Sequence, residues 1–229
     1  MPTSNVKHKG KNPDLSELIT FFYPAFLNLN KRKVVVCGGG KVAERKIIDL
    51  IKTGADITVI SPELTKRIEK EKQKDKIKHI HRHYREGDLQ RSFLVIAATD
   101  SPHVNEKISE DADCLVNVVD TPHLCNFIVP STVNRWPLTI AVSTSGVSPA
   151  LSRAIRKEIE KICGPEFSKY LKLLKKYRIL AMNLIKDKRK RRSFLQDVAS
   201  EKVIGILRRK GLKEAEKVVK DLFEKAKNI

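Results

Sequence analysis

The sequence predicts an α/β protein: a largely parallel sheet with helices on both faces, then a short β-rich connector, then a helical end. Three observations carry this. The apolar runs KVVVCG (33–38), DITVIS (56–61), SFLVIAATD (92–100) and CLVNVVD (114–120) are continuous rather than alternating, the pattern of strands buried on both faces. Stretches with helical spacing separate those runs, the rhythm of βαβ units. From Pro165 to the end only helical periodicity remains.

Taken in order, AFLNL (25–29) is expected to be a short strand joined by a charged turn to the strand at 33–38. Ala43, Ile47, Leu50 and Ile51 recur at helical spacing, Gly54 stops that helix, and 56–61 is the next strand. SPELTKRIEKEKQ predicts a charged helix and KIKHIHRHY (76–84) a strand. SFLVIAATD and CLVNVVD are buried strands around the short helix VNEKISEDA. Two β-rich pieces, NFIVPSTV and PLTIAVST, then follow with no helix between them. In SPALSRAIRKEIEKICG, Ser148 is the expected N-cap, Pro149 the first helical residue and Gly164 the stop. Leu151, Ile155, Ile159 and Ile162 share one face of that helix. Leu171 to Ile185 predicts another helix, KDKRKRRSF a basic link or helix start, and the remainder one or two more. The expected organisation is a loose polar extension (1–20), an α/β domain (21–130), a connector (131–164) and a basic helical domain (165–229).

The chain has 229 residues, 41% of them apolar, enough for a real core. No apolar run reaches the roughly 18 residues that span a bilayer, so no membrane segment is expected. The N-terminal stretch lacks the apolar core of a secretory signal. Four cysteines, at 37, 114, 125 and 163, form no C-x-x-C pair and match neither a zinc site nor a disulfide framework. Reduced thiols in a cytoplasmic protein are the expectation.

Net charge is +19, and residues 151–229 hold 24 Lys and Arg against 10 Asp and Glu. Such an excess fits nucleic acid, an anionic surface or a polyanionic small molecule. No set of stacking aromatics accompanies the basic run, which disfavours single-stranded nucleic acid.

VVVCGGGKVAERK places Gly38-x-Gly40-x-x-Ala43 between a strand and a helix. The first glycine makes the tight turn, the second admits a pyrophosphate to the backbone, and the third position takes a small residue for close packing. Gly38, Gly39, Gly40, Lys41 and Val42 are therefore cofactor-site candidates, with the helix N-terminus facing the phosphates. An acid that holds a ribose hydroxyl is expected near the end of the second strand. Here that strand ends in Ser61, Pro62 and Glu63, which become the ribose candidates. Lys66 and Arg67 leave NADP open; NAD is favoured. A regulatory NAD-sensing domain without chemistry is a further reading. Thr99 and Asp100 end their strand where this fold lines the dinucleotide cleft, or else cap the following helix.

Asp120 ends the apolar run 115–119. It is either a turn-former with Thr121-Pro122 or a carboxylate at the carboxyl end of a central strand, where α/β folds place ligands. His79, His81 and His83 alternate and would share a strand face; a surface-exposed strand, not a metal site, is expected. His123 is a candidate for proton transfer, or else a surface-loop residue. Cys37 and Cys114 read as core residues.

The stretches VVVCGGGKVAERK, VIAATDSPHVN, VNVVDTPHLCNFIVPS and PLTIAVSTSGVSPALSR, in this order from about 24 to 160, resemble the precorrin-2 dehydrogenase / sirohydrochlorin ferrochelatase family, which includes the first module of siroheme synthase. The resemblance implies a Rossmann domain, a dimerisation segment and a helical domain in a homodimer. It implies NAD-dependent oxidation of precorrin-2 to sirohydrochlorin, with ferrous iron insertion in some members, for which His123 would be a candidate to meet the iron. Asp120 falls on the family's catalytic aspartate, the last residue of NVVD. Ser143, Thr144, Ser145 and Gly146 fall on a loop near the tetrapyrrole site, with Thr144 where some members carry a regulatory serine; otherwise they form a polar turn into the helix. Asn105 matches a family asparagine, or packs its helix. Precorrin-2 carries acetate and propionate arms, for which the basic helices would form a cationic wall.

Overall fold

A computed structural model of the chain describes residues 21–228. The expected extension, 1–20, lies outside the described residues. The chain divides into two compact units, one running to Val129 and taking in Ser145–Val147, the other comprising Pro130–Thr144 and the chain from Ser148 on.

The first unit is built on five parallel strands: β1 (Lys33–Cys37), β2 (Asp56–Ile60), β3 (Lys78–Ile80), β4 (Leu94–Ala97) and β5 (Leu115–Val118). Their order is β3-β2-β1-β4-β5. Helices α1 (Lys41–Ile51), α2 (Lys66–Gln73) and α3 (Pro102–Glu110) connect them. One face buries Val34, Val36, Ile57 and Ile96 with Ala43, Ile47 and Ile68 of α1 and α2. The other buries Val35, Val95, Val116 and Val118 with Ile108 of α3. Every second residue of β1 thus enters a different core, which is why its sequence is an unbroken apolar run. Cys37 is fully buried, as expected for a small core hydrophobe.

Two expected elements differ. Residues 25–29 form no strand. Both edges of β1 are already paired, with β2 and with β4, so a neighbouring strand has no edge to join. Of this stretch Leu29 is buried, whereas Phe26 is 75% exposed. The strand expected over 76–84 is confined to Lys78–Ile80. Beyond it the Arg82 side chain makes two 2.7 Å bonds to Asp88 and turns the chain away. His79 and His81 stack, with ring centroids 5.6 Å apart, and His79 Nε2 lies 2.9 Å from the Ser61 carbonyl. Among the described residues no group of three or more His, Cys, Asp or Glu is placed to hold a metal ion.

In the second unit the two β-rich pieces form an antiparallel hairpin, β6 (Ser131–Arg135) and β7 (Leu138–Val142). Helix α4 (Pro149–Ile162) follows, capped as expected by Ser148, whose side chain accepts from Leu151 N at 3.2 Å. The hairpin is not left without a helix: α4 packs on both strands, and Val133 is fully buried. It is the apolar stripe of α4 that stays open, with Leu151 52%, Ile155 39% and Ile162 47% exposed. Helices α5 (Glu166–Leu184), α6 (Lys188–Asp197), α7 (Glu201–Lys210) and α8 (Leu212–Asn228) make a small bundle. Its core is Tyr170, Phe194, Val203, Leu207, Val219 and Phe223, with Tyr177, Phe194 and Phe223 in mutual aromatic contact. The basic run lies in α6, capped by Asp187 through Arg189 N and Lys190 N. Among the described residues no helix is long and apolar enough to cross a membrane.

Candidate active site

All five strands of the first unit are parallel, so their carboxyl ends lie at one end of the sheet. Gly38, Ser61, Thr99 and Asp120 each follow a strand there. The chain runs outward from β1 to β3 and returns at β4 beside β1. The crevice between β1 and β4 is thus the topological switch point, where such sheets take ligands.

The three glycines of the first turn differ in what surrounds them. Gly38 has φ +121°, and a Cβ there would lie 2.2 Å from the Ala98 carbonyl oxygen. Gly39 packs on the loop after β2, where a Cβ would meet the Glu63 carbonyl oxygen and the Ser61 hydroxyl. At Gly40 a Cβ would meet nothing within 4 Å. The fold itself therefore demands the first two glycines, while the third faces open space at the start of α1. Ala43 is fully buried, as close helix–sheet packing requires. Lys41 and Val42 open α1 and are exposed. A backbone open at Gly40, beneath the free N–H groups of a helix N-terminus, fits a dinucleotide pyrophosphate.

The other cofactor candidates are placed as follows. Ser61 is buried, and its hydroxyl donates to Glu63 O at 2.6 Å, shaping the turn through the half-buried Pro62. Glu63 is exposed. Thr65 N donates to Gly39 O, so this loop is tied to the glycine turn. Thr99 N and Oγ1 both donate to Asn105 Oδ1, at 3.2 and 2.7 Å, and Asn105 Nδ2 returns a bond to Thr99 O. Asn105 therefore locks the turn after β4. Ser101, not Asp100, caps α3, accepting from Val104 N; Asp100 is exposed.

Asp120 is exposed and has φ +60°. Thr121 N donates to Val118 O, closing a turn with Val119 and Asp120 at its centre. A residue at the second central position with positive φ is normally glycine or asparagine. The Asp120 carboxylate makes no hydrogen bond or ion pair with any described residue. His123, in the short 3-10 turn Pro122–Leu124, is exposed.

The loop at 143–146 belongs to a different part of the chain. Thr144 Oγ1 lies 3.0 Å from Ser152 Oγ and accepts from Ser148 N at 3.0 Å, so this hydroxyl ties the loop to α4. Ser145 and Gly146 both take positive φ, +52° and +85°. A Cβ at Gly146 would meet nothing within 4 Å.

Sequence reasoning passed over three residues. Glu44, in the first turn of α1, is buried and accepts from the Thr65 hydroxyl, with Arg67 at 3.9 Å and Lys41 at 3.7 Å. It clips α1 to α2. An acid in the first turn of a helix after the glycine run was the available signal. Lys46, half-buried on α1, has its ammonium pKa lowered by burial first and by Arg45 next, against the opposing pull of Asp49, Asp120 and Cys125. It makes no ion pair with a described residue. Cys125 hydrogen-bonds into the Asp120 turn, and nothing in its spacing announces this. An open cavity of about 810 Å³ between α1 and α2 is lined by Lys41, Glu44, Lys66 and Arg67 among others. It includes neither Thr99 nor Asp120, so it is not the crevice where the strands end.

Comparison with known proteins bears on the whole arrangement. Residues 25–131 match the NAD(P)-binding family model, and residues 135–162 match the model of the sirohaem biosynthesis protein central segment. Siroheme synthase of Thioalkalivibrio sulfidiphilus is 41% identical over 176 residues, which cover 76% of this chain and 36% of that protein. Siroheme synthase of Methylobacillus flagellatus is 39% identical over 178 residues, 76% of this chain and 38% of that protein. The chain thus spans between a third and two-fifths of the length of these relatives. Among solved structures, SirC, a precorrin-2 dehydrogenase, superposes with a TM-score of 0.77 at 27% identity, covering 89% of this chain and all of that one. The glycine turn, the parallel sheet and both family matches agree: the chain joins an NAD(P)-binding domain to a sirohaem-biosynthesis central segment, and it is similar to siroheme synthases and to a precorrin-2 dehydrogenase.

Proposed function

We propose that this chain catalyses the NAD-dependent dehydrogenation of precorrin-2 to sirohydrochlorin, with Asp120 as the base. The observation that carries this is an exposed carboxylate, without a hydrogen bond or ion pair among the described residues, in a left-handed turn at the carboxyl end of β5, at the sheet end that holds the glycine turn. Backbone strain of this kind concentrates at working sites. The dinucleotide, when bound, supplies the hydride acceptor. Gly38, Gly39 and Gly40 shape the turn that admits it, with Lys41 and Val42 at the helix start. Ser61, Pro62 and Glu63 border its ribose side, and Thr99 and Asp100 border the cleft. Oxidising the reduced tetrapyrrole removes one hydride and one proton, and Asp120 takes the proton. Ser143, Thr144, Ser145 and Gly146 contact the tetrapyrrole in this reading, and cations of the basic helices meet its carboxylate arms. Ferrous iron is a second substrate in this proposal, inserted into sirohydrochlorin.

The protein acts as a homodimer. Support comes from the stripe of Leu151, Ile155 and Ile162 on α4, large apolar side chains that stay 52%, 39% and 47% exposed.

The Asp120→Asn variant tests the base directly. Asparagine accepts the left-handed turn but takes no proton at neutral pH. NADH affinity should be kept and precorrin-2 oxidation should fall by about 10² to 10⁴. Near-normal turnover by the folded variant defeats the reading. Supplying the same variant with sirohydrochlorin and ferrous iron shows whether chelation shares this carboxylate.

A further inference from the structure

The Asp120 turn has a brace that the proposed mechanism does not use. After the 3-10 turn the chain doubles back, and Cys125 N donates to Pro122 O at 3.1 Å. This carries the Cys125 sulfur to the underside of the turn. Its Sγ accepts from Val118 N at 3.2 Å and faces two carbonyl acceptors, Val118 O at 3.2 Å and Thr121 O at 3.4 Å. Asn117 Nδ2 is a second donor at 3.5 Å, and this amide also donates to Phe127 O. One thiol therefore grips the backbone on both sides of residues 119 and 120.

The grip matters because the turn is strained. Asp120 stands at φ +60°, where a side chain costs on the order of 1 kcal/mol relative to glycine. Such a residue keeps its conformation when its surroundings over-determine it. The Thr121 N to Val118 O bond is long, at 3.4 Å, so the turn does not hold itself tightly. Burial raises the Cys125 thiol pKa, which keeps the proton on sulfur and the group a donor. Asn126 fixes the returning segment alongside: its side chain accepts from Val116 N and donates to Cys114 O, both at 2.8 Å.

We propose that Cys125 is a positioning residue for Asp120: its thiol, bonded to the backbone of Val118 and Thr121, holds the left-handed turn that aims the carboxylate at the reacting carbon. The proposal rests on the reading of Asp120 as the base. Cys125 touches neither substrate nor cofactor, and it exchanges no proton in the reaction.

The test is a double-mutant cycle on the full chain, read by anaerobic NADH formation from precorrin-2 and, separately, by NADH binding. Cys125→Ala should lower kcat about tenfold, the scale of a small misplacement of a reacting group, while NADH affinity stays within about twofold of wild type. Cys125→Ser keeps a donor and an acceptor on a shorter arm and should recover part of the loss. In the Asp120→Asn background, Cys125→Ala should cost nothing further, because there is no base left to aim. A loss that multiplies with that of Asp120→Asn would assign Cys125 a general structural role and overturn the proposal. So would an alanine variant with wild-type kcat, or a serine variant no better than alanine. Should the alanine variant not fold, Cys125→Ser takes its place in the cycle with the same readings. An active Asp120→Asn protein sinks the base reading and this proposal together. An inactive Asp120→Asn protein beside a fully active Cys125→Ala protein sinks this proposal alone.

Discussion

Replacing Gly38 by alanine puts a methyl 2.2 Å from the Ala98 carbonyl oxygen and 2.7 Å from its carbon, at a backbone φ of +121°. Both neighbours are backbone at the end of β4, so neither can swing aside. Left-handed strain costs about 1–3 kcal/mol, and moving a packed strand end costs about 1–3 kcal/mol more. The sum is about 4 kcal/mol, which for a chain of this length lowers Tm on the order of 10 °C. Gly40→Val introduces a larger side chain at φ −78°, ψ −172°, extended backbone that valine adopts readily, with nothing within 4 Å. Its cost is that of a poorer helix N-cap, about 1 kcal/mol, yet its branches fill the space a pyrophosphate would use. The smaller side chain should therefore do more damage to the fold, and the larger one more damage to binding. Thermal unfolding and NADH titration by fluorescence measure the two effects. Gly40→Val should lose at least about 1.4 kcal/mol of binding, a tenfold weaker Kd. Equal Tm values for the two variants, or wild-type NADH affinity in Gly40→Val, would refute the assignment of packing to one glycine and ligand to the other.

Two further outcomes follow from the geometry. Leu151→Asp with Ile155→Asp should leave a folded chain that sediments as a monomer at a concentration where the wild type is a dimer; a wild-type monomer there removes the homodimer. The Asp88 carboxyl is held below the usual carboxylate range, chiefly by the hydrogen bonds from Arg82, with the Arg85 N–H adding to it. A depressed carboxyl contributes stability that is complete above its unfolded value and lost as pH falls through the folded one. Asp88→Asn should thus lower Tm at neutral pH, and the gap to wild type should close only below about pH 4. A gap independent of acid would place the cost in packing rather than charge.

Much of the first unit was legible because its strands are buried on both faces, and continuous apolar runs have few other uses. The glycine spacing was legible because Gly38 and Gly39 each answer to a nearby backbone and Gly40 keeps the start of α1 open. Residues 25–29 misled for a reason outside their own composition: the two edges of β1 were already taken by strands later in the chain. The α4 stripe was visible as a stripe, but periodicity does not tell which apolar face a neighbour covers. Of the site, Asp120 stood out as an acid at the end of a buried run. Its supports did not. Glu44 reaches a hydroxyl 21 residues away, and Cys125 reaches back seven residues through a chain reversal. Such partners depend on where the chain turns, and local patterns do not encode that.

The proposed activity is oxidation of precorrin-2 with a nicotinamide dinucleotide as hydride acceptor. Anaerobic incubation of the pure protein with precorrin-2 and NAD, with NADP in a parallel sample, tests it most directly. NADH absorbance and the sirohydrochlorin spectrum should rise together, one NADH per tetrapyrrole, and turnover should be faster with NAD than with NADP. Protein that binds NADH yet forms neither product from precorrin-2 with either dinucleotide would contradict it.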